Sequence, residues 1–236
     1  MGIQEEDMGI RAVVFVALSG LLVAGCMPAP VKAPAVYTIS VAGSPAGQVA
    51  GHHRRGISAC NHVLKIMPVR GDAPFTGTGI LYRDSPHGLE TYAFSRWSDA
   101  PVQMVETYLV NALEDSNLFR AVLPSWSESG SDVLLETVVT DFSLHMDDGS
   151  RLSAVIAMRF FLVDKESGKL LATEEFVSRR PARCPEARCA VDALNSALHS
   201  LVHEVVLWLG SQDIFSRDST AFLKALEVSE SGNACM

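Results

Sequence analysis

The sequence predicts an α+β domain. Three long strand-like segments stand next to one another between residues 132 and 179, joined by connections with hairpin chemistry. One amphipathic helix precedes this run and a second follows it, each with apolar residues recurring at helical spacing along a single face.

The elements follow in order. Residues 26–60 are punctuated by Pro28, Pro30, Pro34, Gly43, Pro45, Gly47, Gly51 and Gly56, which break any regular period, so this stretch reads as a flexible tether. Within it only residues 36–39 have strand character. The folded domain is expected over residues 61–210. It opens with a strand at 63–69, a second at 79–83, a turn at Ser85-Pro86-His87-Gly88, and a third strand at 89–96 with Tyr92 and Phe94 on one face. The first helix is expected at 101–115. Ser98 or Asp99 can cap it, Pro101 suits its first turn, and Met104, Val105, Tyr108, Leu109, Ala112 and Leu113 form its apolar stripe, with Asn117 as the stop. A short strand at 119–123 ends at Pro124, and a polar loop surrounds Trp126. The three long strands then run over 132–146, 151–164 and 170–179. The second helix, at 188–210, has Val191, Leu194, Leu198, Val202, Val205 and Leu209 on one face and Gly210 as its end. Residues 211–236 form a polar tail with a short amphipathic helix at 220–227.

The amino terminus carries an address. Arg11 precedes an uncharged run from Ala12 to Ala24, closed by Leu21-Leu22-Val23-Ala24-Gly25-Cys26 and followed at once by Pro28 and Pro30. The run is too short for a membrane-spanning helix of about 20 residues. It resembles a bacterial lipoprotein signal, which implies cleavage after Gly25 and a diacylglycerol thioether on Cys26. Glu5, Glu6 and Asp7 put negative charge where an export signal needs a basic region. Translation from Met8 would place Arg11 in that region, so residues 1–7 are expected to lie upstream of the true start of the 1–25 leader.

Removing the leader leaves 211 residues with 18 Lys and Arg against 24 Asp and Glu, a net charge of −6. That length suits one domain, and that charge excludes nucleic acid as a natural partner. The basic cluster His52-His53-Arg54-Arg55 lies between Gly51 and Gly56 and reads as a solvated loop. Export permits disulfides among the four remaining cysteines. Cys184 and Cys189 flank a small loop and are the first expected pair, leaving Cys60 and Cys235 as the second. A zinc site is disfavoured, because four residues separate the nearer cysteines and no CxxC occurs.

Enzyme signals are weak. His199 and His203 lie four apart on the second helix with Asp192 and Glu204 nearby, but the spacing is not HExxH and the pair falls on the polar flank. His145-Met146-Asp147 reads as hairpin chemistry. GxSxG and a phosphate-binding glycine loop are both missing, so no catalytic residue, resident metal or cofactor is expected beyond the lipid on Cys26.

A family resemblance adds to this reading. Leu81-Tyr82-Arg83, then Tyr92, then Arg96-Trp97-Ser98-Asp99-Ala100-Pro101 leading into a helix, with Phe119-Arg120-Ala121-Val122, Leu134-Leu135-Glu136 and Asp141-Phe142 further on, resembles the ABC-type transport auxiliary lipoprotein family, which includes the paraquat-inducible protein C type. The resemblance covers about 150 residues. It implies a single domain with a mixed, mostly antiparallel β-sheet and two main helices packed on one face. It also implies a non-catalytic outer-membrane lipoprotein that works with an Mce-domain protein and an ABC permease and ATPase to move lipid. Met27 after the lipidated cysteine, where inner-membrane retention would call for Asp, favours the outer membrane. Further expected partners are lipid itself and a second copy of the chain. The aromatics Tyr82, Tyr92 and Trp97 can be core or contact residues. Of the exposed-interface candidates Tyr82, Arg83, Arg96 and Trp97, the Arg96-Trp97 pair is the first choice, because Arg offers planar multi-donor contacts and Trp a large area to desolvate. The competing reading is a structural or assembly lipoprotein of the envelope with no transport role, and a weaker third is an envelope hydrolase.

Overall fold

One long strand organises the sheet in the computed structural model, which describes residues 33–40, 60–147 and 151–212. The strands are β1 (Ala35–Tyr37), β2 (Val63–Ile66), β3 (Arg70–Gly71), β4 (Gly79–Arg83), β5 (Glu90–Trp97), β6 (Ala121–Leu123), β7 (Val133–Asp147), β8 (Arg151–Asp164) and β9 (Leu170–Pro181). The helices are α1 (Pro101–Ser116) and α2 (Ala187–Gly210). Along one side of β7 runs β8, antiparallel from Val133↔Asp164 to Asp147↔Arg151, and β9 pairs antiparallel with β8. Along its other side β2, β3 and β4 follow one another, all parallel to it. Beyond them β6 joins β2, β5 joins β4, and β1 joins β5.

The sheet is therefore mixed. Its two longest ladders are antiparallel because hairpins can connect them directly. The short ladders on the far side of β7 are parallel because the chain returns to β7 only after a crossover through β5, α1 and β6. Gly168 closes the β8–β9 hairpin at φ +67°, a left-handed conformation that costs a side-chain-bearing residue steric strain. Ser167 supports that turn by donating its N–H to Asp164 Oδ1 at 2.8 Å, and the Ser167 hydrogen bonds hold the Asp164 carboxyl below its ordinary range.

Both helices lie on one face. α1 buries Val102, Val105, Tyr108, Leu109 and Leu113, and α2 buries Leu194, Leu198, Leu201, Val202, Val205 and Leu209. They meet where Tyr108 Oη lies 3.1 Å from His199 Nδ1. The expected side-chain cap of α1 is replaced by a different start. Ala100 occupies the cap position in extended conformation, and Asp99 Oδ1 accepts the Ala100 N–H at 2.7 Å instead of a first-turn amide. Pro101 has no N–H to satisfy, which removes one of the donors a cap would serve. Asn117 ends the helix as expected from sequence, in the left-handed region at φ 54°.

The boundary of the folded part also differs from the expectation. The short strand expected at 36–39 within the tether forms at 35–37 and belongs to the sheet, pairing with β5 from Ala35↔Ser95 to Tyr37↔Trp97. Ser98 N–H donates to the Tyr37 carbonyl at 2.6 Å and Ser40 N–H to Asn195 Oδ1 at 2.8 Å. A β-strand edge offers unpaired backbone groups that even a three-residue segment can satisfy, which a composition-based boundary does not register. The leader with Cys26, the basic cluster at 52–55, the tail helix at 220–227 and Cys235 lie outside the described residues.

A bulge in β7 positions a polar cluster. The β7–β8 register shifts between Val139 and Asp141, leaving Thr140 as the extra residue. Before the bulge the odd-numbered Leu135 and Val139 belong to the core; after it the even-numbered Phe142 does. Asp141, Ser143 and His145 are thereby turned to the face away from the helices.

Candidate functional site

Two groups of polar and aromatic residues lie at the end of the sheet where β4 and β5 meet the start of α2. On the helix-bearing side, the Tyr82 and Tyr92 rings pack 5.0 Å apart. Tyr82 Oη donates to Glu90 Oε2 at 2.5 Å, and this bond raises the Tyr82 pKa. Tyr92 Oη donates to the Pro185 carbonyl. Burial first, then the neighbouring Tyr82 and Glu186, push the Tyr92 hydroxyl up to about 12. Tyr92 thus ties β5 to the loop that leads into α2, and Tyr82 ties β4 to β5.

That loop is closed by a Cys184–Cys189 disulfide with a Cα–Cα distance of 5.6 Å. Cys184, Glu186 and Cys189 bring three ligand-type atoms within 4.8 Å of one another, the one such grouping among the described residues. Both sulfurs are spent in the S–S bond, so neither is a thiolate able to bind a metal. Cys60 is buried, and its expected partner Cys235 lies outside the described residues. Beside the disulfide, Arg180, Arg183, Asp192 and Ser196 line an open groove of about 480 Å³. Replacing both Cys184 and Cys189 by Ser is expected to lower stability by about 2 kcal/mol, the loop-closure value for so short a loop. Urea unfolding midpoints of the two proteins check it, and equal midpoints would contradict it.

On the opposite face, Asp141 is the hub of a cluster. Its Oδ1 accepts from Ser143 Oγ at 2.6 Å, its Oδ2 lies 2.9 Å from His145 Nε2, and Arg83 Nε stands 3.8 Å from the same oxygen. Ser143 and His145 both turn to the carboxylate, and no Ser–His hydrogen bond forms between them. The arrangement holds a largely buried polar cluster, with Ser143 fully buried, and leaves the serine without a base on its hydroxyl, which activating it as a nucleophile would need. Sequence reasoning placed Asp141 in a family motif and His145 in a turn, and so missed their association. The available signal was the period-two spacing of Asp141, Ser143 and His145 on a strand, with Arg83 on a neighbouring one.

Of the interface candidates, Arg96 is exposed, Tyr82 and Arg83 are half-buried, and Trp97 is buried and faces no partner. Its side chain is 1% exposed and packs edge-on against Phe142, with ring centroids 5.8 Å apart. Trp97 ends β5 where the chain turns into α1, so it closes the core instead of facing a partner. The helix-borne histidines are not gathered into a site: His199 Nδ1 is engaged by Tyr108, His203 is exposed, and Asp192 lines the groove beside the disulfide.

The layout is that of an α+β domain with two helices on one face of a mixed sheet. The chain belongs to the family described as ABC-type transport auxiliary lipoprotein component, which matches residues 37–206, from β1 into α2. Among solved structures it resembles protein XCC0632 from Xanthomonas campestris, at 22% identity and a TM-score of 0.65, covering 78% of this chain and 99% of that one. A second structure, of an uncharacterised protein, aligns at 16% identity and a TM-score of 0.57, covering 75% of this chain and 99% of that one. These likenesses establish the fold. No curated protein matches the chain.

Proposed function

We propose that the protein is a non-catalytic accessory lipoprotein, anchored in the outer membrane and facing the periplasm, of an Mce-type ABC system that moves lipid. The family match over residues 37–206 carries this reading. The lipobox ending at Cys26 supports the anchor, and Met27 supports the outer membrane. The hydrogen bonding around Asp141 supports a binding role over a catalytic one, because the serine and the histidine are both committed to the carboxylate.

The position of β1 sharpens how such an anchor works. Only residues 27–34 separate Cys26 from Ala35, the first residue of the sheet. An extended chain of that length spans about 30 Å, so a lipidated Cys26 keeps the sheet within about that distance of the bilayer. The polar patch at Arg83, Asp141 and His145 offers a partner paired charges at the far side of the sheet from the helices.

Purification of the tagged full chain from detergent-solubilised membranes tests the proposal. An Mce-domain protein with its permease and ATPase is expected to co-purify, and deletion of the gene is expected to impair lipid movement between the membranes. A preparation free of these components, together with normal lipid transport in the deletion strain, would overturn it.

A further inference from the structure

Among the described residues β9 has a ladder partner, β8, on one side alone. Its outer edge pairs with no strand among the described residues. Ala182 N–H donates to the Leu152 carbonyl at 2.9 Å, which makes Ser153↔Pro181 a pair without mutual hydrogen bonds. By alternation the backbone groups of Arg180, Ser178, Phe176 and Glu174 point towards β8, while those of Arg179, Val177 and Glu175 point outward. Pro181 stands at an outward position as well, where its missing N–H costs no bond to β8. Val177 is 52% exposed, and Glu174, Glu175 and Arg179 are exposed too.

Charges on an edge strand ordinarily block pairing. Here their order does the opposite. The sequence Glu174-Glu175-Phe176-Val177-Ser178-Arg179-Arg180 is charge-palindromic about Val177. We propose that the outer edge of β9 docks a second copy of this chain, antiparallel, with the two-fold axis at Val177. In that register Val177 faces Val177 of the second copy across a hydrogen-bonded pair, Glu175 faces Arg179, and Glu174 faces Arg180. The strand faces are preserved, because a two-fold axis perpendicular to a sheet keeps each face on its own side. Shifting the axis to Phe176 sets Glu174 against Ser178 and Glu175 against Val177, and shifting it to Glu175 sets like charges together. Of these registers only the one centred on Val177 satisfies both acids.

The present contacts of these side chains are compatible with it. Glu175 reaches Arg159 at 3.0 Å on an exposed surface, and Arg179 of the second copy would add a second cation to that carboxylate. The outward-pointing Arg179 carbonyl already accepts from Arg180 Nη1 at 3.0 Å, so the Glu175 N–H of the second copy takes its second lone pair; Arg180 Nη2 donates to Ser200 Oγ at 2.6 Å, and the remaining guanidinium hydrogens are left for Glu174 of the second copy. The result is one continuous sheet across two chains, with both copies presenting their helices on the same side. The interface is independent of the proposed transport role, and its test reads contact between copies only.

The full chain with Val177→Cys, expressed in its native membrane, tests it. Facing residues of a hydrogen-bonded antiparallel pair lie about 5.5 Å apart at Cα, within disulfide range. Mild oxidation is expected to give a reductant-sensitive band at twice the chain mass, above the level of the unmodified chain and of a Trp126→Cys control on an exposed loop. Adding Glu175→Arg is expected to abolish the band, and adding Arg179→Glu to that variant to restore it. Three results would overturn the proposal: no band above the controls, a mixed disulfide with a different protein in place of the dimer, or a dimer band indifferent to the charge reversals.

Discussion

Replacing Trp97 by alanine is expected to lower the unfolding free energy by about 3–5 kcal/mol, the range for emptying a large aromatic site in a core. Trp97 is 1% exposed and meets Phe142 edge-on, where the end of β5 packs over the middle of the sheet. Its indole Nε1 is buried with no hydrogen-bond partner among the described residues. An unsatisfied donor of this kind is itself destabilising. Trp97→Phe is therefore expected to be much milder than Trp97→Ala, since it keeps most of the ring while removing the orphaned N–H. Arg96→Ala, one residue earlier and exposed, is expected to stay within about 0.5 kcal/mol of the parent. Urea unfolding of the three variants separates the roles of the two neighbours. A small effect of Trp97→Ala would return Trp97 to the list of surface contacts.

Replacing Phe160 by alanine is expected to be comparably costly, again about 3–5 kcal/mol. Phe160 is fully buried and lies between Phe176 of β9 at 5.9 Å and Trp208 of α2 at 6.5 Å. Phe176 and Trp208 also pack edge-on at 5.8 Å, so the three rings join β8, β9 and the last turns of α2 into one unit. Losing the Phe160 ring leaves Phe176 and Trp208 packed only against each other within this cluster. The expected signs are a lower urea midpoint and a weaker near-ultraviolet aromatic signal, as the environment of Trp208 loosens. Phe94→Ala is the matched control, because Phe94 is 63% exposed and its removal opens no cavity. Equal effects at the two positions would contradict the assignment of Phe160 to the core.

Much of this fold was readable from residue order. The β4 and β8 spans and the end of α1 at Asn117 follow the expected positions, because each is set by local chemistry: alternation along a strand, and a left-handed stop residue. The helical stripes were equally legible. Leu194, Leu198, Val202, Val205 and Leu209 all face the core, since an amphipathic helix has one way to bury such a face. The family was legible too, because its motifs are spaced along the chain in a fixed order and need no coordinates to compare.

The candidate site was legible only in pieces. Period-two spacing along β7 was visible, but which face each residue takes depends on the bulge at Thr140, and a bulge is set by pairing with β8. Without it Asp141 would share the helix-bearing face with Val139 and the charged cluster with Arg83 would not form. Arg83 and Asp141 are far apart in sequence and meet because β4 lies parallel to the last part of β7. The same holds at β1, whose strand character was legible in sequence but whose pairing was not, since it joins the sheet only because the edge of β5 lies beside it.

By itself the sequence determined the α+β class, the helices and their buried faces, and the family. All of these rest on local periodicity or on contiguous motifs. The tertiary structure alone decided that Trp97 belongs to the core, that Asp141, Ser143 and His145 face away from the helices, and that β1 belongs to the sheet. Each of these depends on which distant segment lies alongside, and strand pairing is a contact between residues that local sequence does not bring together.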